Sequence, residues 1–385
     1  LRISKKLRLI AMMLVAMLVL AACSSGDDEG TDEESEGADT SEETAPEGED
    51  GGDDTAATED APSTGSTTGS EGSTLQATLD AGVLKCGVNG QLNGFSLDEG
   101  GTYSGLDVDY CKAIAAAVLG DPEAVEYTNL SAETRFTALQ SGEVDVLSRN
   151  GTWTASRDGE LGLQWTATTY YDGQGMLVNA DDPAEAVEDM DGYLICVQTG
   201  TTTELNLETY FDNLGISYEP VNVADEAAVT ENFSTGACDA YTTDRSGLAS
   251  FAATYTGGDV KILPDVMSKE PLGPAVRQGD DQWFDIVQWV VFATFQAEEF
   301  GLTSENIGSF DAGANADIAR FLGQEDGQTT GAGLGFPDEQ WAVRVIEAVG
   351  NYQEIFDRNI LPIGLDEGVN QLWTEGGLHY APPFR

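Results

Sequence analysis

Two stretches of this 385-residue chain follow one plan. "SGEVDVLSR" (141–149) and "TGACDAYTTDR" (235–245) each run from a helix end through a Gly stop and an Asp into a short apolar strand that finishes in polar residues. Helix and strand patterns alternate around both. "GVLKCGVN" reads as a strand. "LDVDYCKAIAAAVLG" reads as a helix with Val108, Ile114 and Val118 on one side, ending at Gly120. "SAETRFTALQSG" is a second helix, with Ser131 as N-cap, Phe136 and Leu139 facing inward and Gly142 as the stop. The later half repeats this with "GYLICVQTG" running into "TTTELNLETYF", then "DEAAVTENFSTG" ended by Gly236. Such alternation specifies an α/β fold, and its recurrence specifies two units of one design rather than a short-period solenoid. In open α/β sheets, ligands bind beyond the carboxyl ends of the strands. Both polar strand ends therefore point to one cleft between two lobes.

The extended stretches "TYYDGQGMLV" (169–178) and "ILPDVMSKEPLGPAVR" (262–277) bracket the second unit and read as paired crossover strands. Lobe one is then 75–174 plus 272–385, and lobe two is 175–271. The segment 305–337 adds helices and a glycine-rich loop beyond minimal lobes, without a functional reading.

The first 74 residues read as something other than a fold. Arg2, Lys5, Lys6 and Arg8 precede the 12-residue apolar run "LIAMMLVAMLVL", the pattern of a signal peptide over residues 1–22 and too short to span a bilayer. The run ends in "LAAC", which resembles the bacterial lipobox and implies a lipid-modified Cys23. The alternative is a plain secretory signal. Residues 24–74 hold 18 acidic residues, no Lys or Arg and no aromatic. That composition cannot bury enough apolar surface to offset its ordering entropy. We expect residues 23–74 to be a disordered acidic tether, about 40 Å in root-mean-square reach as an ideal chain; the alternative is an acidic tail that binds a partner.

The body, 75–385, carries 50 acidic against 13 basic residues. Such a surface repels nucleic acid and bare anionic membrane, and anionic ligands too unless a local positive site overcomes the field. Screening at high salt would relieve the self-repulsion, so one hypothesis is adaptation to high salt. Cys86, Cys111, Cys196 and Cys238 remain after Cys23, an even count that suits disulfides in an exported chain. Three connectivities are open. Cys86–Cys111 and Cys196–Cys238 are favoured because each pair lies inside one βα unit, and each would add roughly 3.5–4 kcal/mol in the chain-entropy model. Free buried thiols are the alternative.

Catalytic chemistry finds little material. The single histidine, His379 in "GGLHYAPPFR", leaves one candidate base for a nucleophilic triad and is read as a surface or packing residue. Paired cysteines exclude a His/Cys zinc site. "GAGLGFP" (331–337) lacks the strand, helix and Lys of a phosphate loop. No catalytic residue, cofactor or metal is expected. Binding is better served. Arg157 offers a planar bidentate donor to a carboxylate, with Thr152 and Thr154 just before it. "TGTTTE" (199–204) lies where a strand enters a helix, a natural anion site. Asp244, ending the equivalent strand of the other unit, suits an ammonium group. Together these describe a free α-amino acid. Taken singly, each is equally explained as a helix cap or a surface ion pair.

At these residues the chain resembles the periplasmic solute-binding proteins for polar amino acids that serve ABC importers, nearest the general or acidic/amide branch. The resemblance is carried by "GLDVDYCKAIAAAV", "RFTALQSGEVDVLSRNGTWTASRD", "TYYDGQG", "CVQTGTTTELN", "DAYTTDRSGLA", "MSKEPLGPAVRQGDDQWFDIV" and "AVGNYQEIFDRN". It spans about residue 79 to the end. It implies the type II two-lobed periplasmic-binding-protein fold, with two crossover strands and a central cleft. By position, it implies that Arg157 clamps the α-carboxylate, aided by Thr152 and Thr202, and that Asp244 holds the α-ammonium. Asn150, Gly94 and Phe95 fall at pocket-lining positions, and Gln174 is a further candidate. Leu92 stands where many relatives have a stacking aromatic, and Asn89 where many have Asp. Both argue against a ligand with a cationic side chain. Arg149, often a small Ser in relatives for basic ligands, would repel Lys or Arg and suits a side-chain carboxylate or amide. The other reading of Arg149 is an ion pair with a nearby acid.

The resemblance thus implies a lipid-anchored, extracytoplasmic, monomeric receptor. Its ligand would be glutamate, glutamine, aspartate or asparagine, and its partners ABC permease subunits, with no nucleic acid. An exported enzyme on the same fold, such as a dehydratase, and a sensor module are the alternatives. If the acidic surface is a high-salt adaptation, thermal melting should rise steeply with added salt; full stability in low-salt buffer would contradict it.

Overall fold

The computed structural model describes residues 73–324 and 330–385. Cys23, the signal segment and nearly all of the acidic tether lie outside the described residues.

Two five-stranded sheets dominate, and they share one topology. The first orders Val125–Asn129, Leu84–Val88, Val146–Leu147, Ala275–Arg277 and Leu163–Trp165. The second orders Tyr218–Val223, Tyr193–Gln198, Ala240–Asp244, Gln174–Asn179 and Val260–Ile262. In each, the first three strands are parallel and the fourth runs antiparallel to both its neighbours. The parallel strands follow from the helix crossovers between them, since parallel neighbours need a long connection. The antiparallel strand is where the chain enters one lobe or returns to the other. Tyr170–Asp172 pairs with Glu270–Leu272 in a separate two-stranded ribbon, Glu270 opposite Asp172. Gln174 already opens the second-lobe strand, opposite Asp244.

Helices cover both faces of each sheet, as parallel strands buried on two sides require. Phe211, Leu207, Met176 and Val197 fill one side of the second sheet; Phe233, Phe251, Tyr241 and Leu248 fill the other. The glycine stops work as the sequence pattern demands. Gly142 and Gly236 sit at φ 78 and 72 and return their N–H groups to the last helical carbonyls, a left-handed cap that costs a glycine nothing. Ser131 accepts the Thr134 N–H on its hydroxyl and the Arg135 N–H on its carbonyl. These bonds close a turn ahead of the helix Arg135–Ser141, whose N-cap is Thr134 without a side-chain bond, so Ser131 is not the N-cap that the sequence pattern predicts.

Disulfides join Cys86 to Cys111 and Cys196 to Cys238. The first ties a sheet strand to the helix packed on it, the second a strand to the segment that follows the helix Glu226–Thr235.

The C-terminal part thickens the first lobe. Helices Asp281–Glu299, Trp341–Val349 and Tyr352–Asn359 pack with Leu106–Leu119 in the largest core. Residues of the 305–337 segment join it, with Ile307, Phe321 and Leu322 buried and Phe336 stacked on Trp341. His379 is a packing residue: 1% exposed, stacked on Phe295 at 4.2 Å and flanked by Tyr352 and Tyr171. Neither ring nitrogen has a hydrogen-bond partner among the described residues.

Burial pushes the His379 pKa down to about 3. The folded state therefore refuses a proton that the unfolded chain binds below its ordinary value of 6.5. Stability falls as pH drops through 6.5 and levels near 3, about 2 kcal/mol being lost at pH 5 relative to pH 8. Denaturant unfolding of His379→Phe should show a shallower acid-side decline than the wild type by that amount. Parallel curves would contradict a neutral buried imidazole.

Candidate functional site

The site is built where strands stop. Val146–Leu147 gives way to Ser148–Thr154, and Thr154 then caps the helix Ala155–Glu160 by accepting the Arg157 N–H. Across the gap, Ala240–Asp244 ends directly in the helix Arg245–Thr254. Tyr193–Gln198 turns into the helix Thr202–Leu214, where Thr201 accepts the Glu204 N–H and the Glu204 carboxylate takes that of Gly200. These ends line one narrow cavity. Lobe one lines it with Leu92, Arg135, Arg149, Asn150 and Thr152. Lobe two lines it with Gln198, Thr201, Thr202, Thr203, Glu226, Thr243, Asp244 and Gly247.

A chain of hydroxyls crosses the cleft. Thr202 donates its one proton to Glu270 Oε2 at 2.8 Å, so the Thr152 hydroxyl, 3.3 Å away, donates to Thr202. Glu270 lies on the crossover ribbon, 1% exposed, and also accepts from Asn206 and Ser268. The strand end of one lobe, the helix start of the other and the crossover meet at Thr202.

Three arginines gather on the first-lobe side. Arg149, 2% exposed, donates Nε to Leu130 O and contacts Asn150 Oδ1 at a long 3.4 Å. Burial brings its pKa down to about 10, against the pull of Asp107 and Glu226. Asp107 is itself pushed up to about 7 by burial, although it accepts the Asn150 N–H at 2.7 Å. Arg157 stands one layer back. It donates Nη1 to Thr152 O, lies over the Phe136 ring and does not line the cavity wall. Burial lowers its pKa, and Glu270 and Asp244 oppose that. Arg135 lies over the same ring, 4.7 Å from its centroid and 3% exposed. Burial pulls its pKa well down, and Arg149 and Arg157 push it further. None of the three forms an ion pair among the described residues.

The facing wall is acidic. Asp244 is 7% exposed, and its carboxylate accepts no hydrogen bond from the described residues. Burial, then Asp172 and Glu270, raise its pKa well above the usual range; Arg135 and Arg157 pull it back. A buried carboxylate with unused acceptors facing buried guanidiniums with unused donors is matched to a zwitterion that bridges them.

Of the candidates from sequence, Thr152, Thr202, Asp244, Arg149 and Asn150 line the cavity. Gln174 lies behind it, donating to Thr203 O and Thr242 Oγ1. Gly94 and Phe95, expected at pocket-lining positions, lie off this wall. Phe95 is fully buried, edge-on to Tyr170, and Gly94 turns at φ 85 against Asn359 and Ile363 in a different groove. Leu92, two residues earlier, supplies that wall. Sequence reasoning missed Arg135. Its signal was a scarce cation in the first turn of a helix, where the dipole disfavours positive charge. A second groove, lined by Asn89, Gln91, Asn129 and Ser131 and by Asp225, shares Arg149, Gln198 and Glu226 with the cavity.

Comparison with known proteins fits this geometry. The family model of bacterial extracellular solute-binding proteins, family 3, matches residues 84–305. The general L-amino acid-binding periplasmic protein AapJ of Rhizobium johnstonii is 50% identical over 318 residues, covering 81% of this chain and 93% of that protein. The glutamate/glutamine/aspartate/asparagine-binding protein BztA of Rhodobacter capsulatus is 52% identical over 319 residues, covering 81% and 94%. A solved periplasmic binding protein from Brucella ovis, with glutathione bound, superposes with a TM-score of 0.79 at 46% identity, covering 82% of this chain and all of that one.

Asn150 is the one non-glycine residue at positive φ among the described residues, at 30°. Its side-chain contacts are long, 3.4 Å to both Asn89 and Arg149. Asn150→Gly should leave stability within about 0.5 kcal/mol, and Asn150→Ala should cost about 1–2 kcal/mol by urea unfolding. Equal losses would assign the role to the side chain rather than the backbone.

Proposed function

The chain belongs to the bacterial extracellular solute-binding proteins of family 3, and from that premise we propose an extracytoplasmic receptor that captures a free polar L-amino acid for an ABC importer. The ligand class is glutamate, glutamine, aspartate and asparagine. The mature chain is held to the membrane by a lipid on Cys23 and stands off it on the acidic segment 23–74. It acts as a monomer, with lobe one formed by 75–174 and 272–385 and lobe two by 175–271. The partners are the permease subunits, and the ligand leaves unchanged, without turnover.

The observation that carries the reading is the opposition across one cavity of unpaired guanidiniums and an unbonded, buried Asp244. In this reading Arg157, with the helix start at Thr202, takes the α-carboxylate, and Asp244 takes the ammonium. Thr152 has acceptor capacity left for the same ammonium or a side-chain amide. Arg149 reads the ligand side chain. Lobe closure brings the two halves together and buries the ligand, and the closed form is what the permease meets.

A second reading has its own support. The groove continuous with the cavity through Arg149, Gln198 and Glu226 offers room beyond a single residue. The Brucella ovis relative carries glutathione, a γ-glutamyl tripeptide. A longer ligand would seat its glutamyl end in the cavity and extend along the groove.

Calorimetry against the twenty amino acids and glutathione separates these readings. Micromolar or tighter binding of glutamate-class amino acids is the expected result, and no binding below the millimolar range to any ligand would sink both. Arg157→Ala should weaken every ligand by roughly a hundredfold or more, whereas Arg149→Ala should change the ratio between them. Equal weakening by Arg149→Ala would remove its side-chain role.

A further inference from the structure

The family match ends at residue 305, and no described residue beyond it lines the ligand cavity. Yet the last part of the chain is fastened to the ribbon that joins the lobes. In that ribbon Pro271 stands opposite Tyr171. Proline has no N–H to offer, and the Pro271 carbonyl accepts from the Trp153 N–H. The Tyr171 N–H and C=O are satisfied on the other edge, by one side chain. Asn370 Oδ1 accepts the Tyr171 N–H at 2.6 Å, and Asn370 Nδ2 donates to the Tyr171 carbonyl at 3.1 Å. The carboxamide stands in for a neighbouring strand, because it carries an acceptor and a donor side by side. Asn370 is 3% exposed and is fixed by its own loop. Its N–H goes to Glu367 O, Leu378 N–H to Val369 O and His379 N–H to Gln371 O. Two more residues of this region grip the same strand. The Tyr352 hydroxyl donates to Thr169 O at 3.0 Å, and the His379 ring lies 5.4 Å from that of Tyr171.

The grip stops at Asp172, where the chain begins to bond to the second lobe. Asp172 Oδ2 accepts the Ser246 N–H at 3.2 Å, Gly173 O accepts the Arg245 N–H, and Gln174 pairs opposite Asp244. Ser246 and Arg245 open the helix that follows Asp244, the acid on the cavity wall. We infer that Asn370 is a positioning residue for ligand capture: it clamps the crossover strand to the first lobe as far as Tyr171, so that lobe closure pivots at Asp172–Gln174 and carries Asp244 along one path. The inference rests on the receptor reading above. A strand free to bend anywhere from Thr169 to Gln174 would sample many open geometries, of which the ligand selects few. The clamp removes those geometries before the ligand arrives. That raises the fraction of molecules competent to close and tightens the apparent affinity. The gain is common to all ligands, because Asn370 does not line the cavity.

Hydrogen exchange and calorimetry on the full-length chain in detergent, with L-glutamate and L-glutamine, test this. In the wild type the Tyr171 amide should be protected without ligand and unchanged by it, while the amides of Gly173 and Gly175 gain protection on binding. Asn370→Leu keeps the size and removes both bonds. It should speed exchange at Tyr171 by about tenfold or more and weaken both ligands by about fivefold or more, with their ratio unchanged. Asn370→Asp keeps the acceptor and loses the donor; it should show the same pattern at smaller size, and it carries the comparison if Asn370→Leu does not fold. Unchanged affinities beside a lowered melting temperature would make Asn370 a packing residue and overturn the role. A loss that differs between the two ligands by more than about threefold would overturn it, as would a wild-type Tyr171 amide that gains protection with ligand as Gly173 does. Each of those results leaves the receptor reading standing. A wild type that binds none of the twenty amino acids would overturn the receptor reading, and the positioning role with it.

Discussion

A guanidinium taken out of water must find an anion, and three of them are buried side by side in a protein whose body has 50 acidic residues against 13 basic ones. With so many carboxylates available, ion pairs for Arg135, Arg149 and Arg157 would have been easy to supply. Instead Arg135 and Arg149 face a cavity, with Arg157 one layer behind them. Asp107, the carboxylate nearest Arg149 in effect, is spent on the Asn150 N–H, and Glu270 is spent on Thr202, Asn206 and Ser268. Asp107 and Glu270 are tied up in holding the frame, which leaves the cations without an ion-pair partner among the described residues. The same logic runs in reverse at Asp244, a buried carboxylate left without a donor.

The topology makes that confrontation possible. Two sheets of identical strand order place the carboxyl ends of Val146–Leu147 and Ala240–Asp244 toward each other, and the ribbon Tyr170–Asp172 with Glu270–Leu272 is the part of the chain they share. Because Glu270 sits on that ribbon and grips the second-lobe helix start through Thr202, the crossover is a structural member of the site as well as a connection. Thr152 then links the first lobe to the same point.

Much of this was legible in the chain. Helix periodicity, the stops at Gly142 and Gly236 and the polar strand ends are local signals, and local signals suffice for an α/β duplication. They also suffice to mark Thr152, Thr202 and Asp244, because strand ends and helix starts are where such sheets put their ligands. Arg135 could not be placed in the same way. Whether the first residue of a helix points to solvent or into a cleft depends on the helix's rotation and on the other lobe closing over it. Glu270 read as part of an extended stretch, and its bond to Thr202, 68 residues away in sequence, exists only in three dimensions. Gly94 and Phe95 lie off the cavity wall for a related reason. A tight turn at Gly94 carries the chain away from the cavity within two residues of Leu92, and a resemblance that matches positions does not register so short a detour.

The most direct test of the central claim is a crystal structure of the protein with L-glutamate. The account requires the ammonium within about 3 Å of the Asp244 carboxylate and the α-carboxylate on Arg157 and the Thr202 helix start, at the 2.7–2.9 Å expected of charge-assisted bonds. The ligand side chain should lie against Arg149. A ligand bound with its ammonium toward the arginines, or bound outside this cavity, would contradict it.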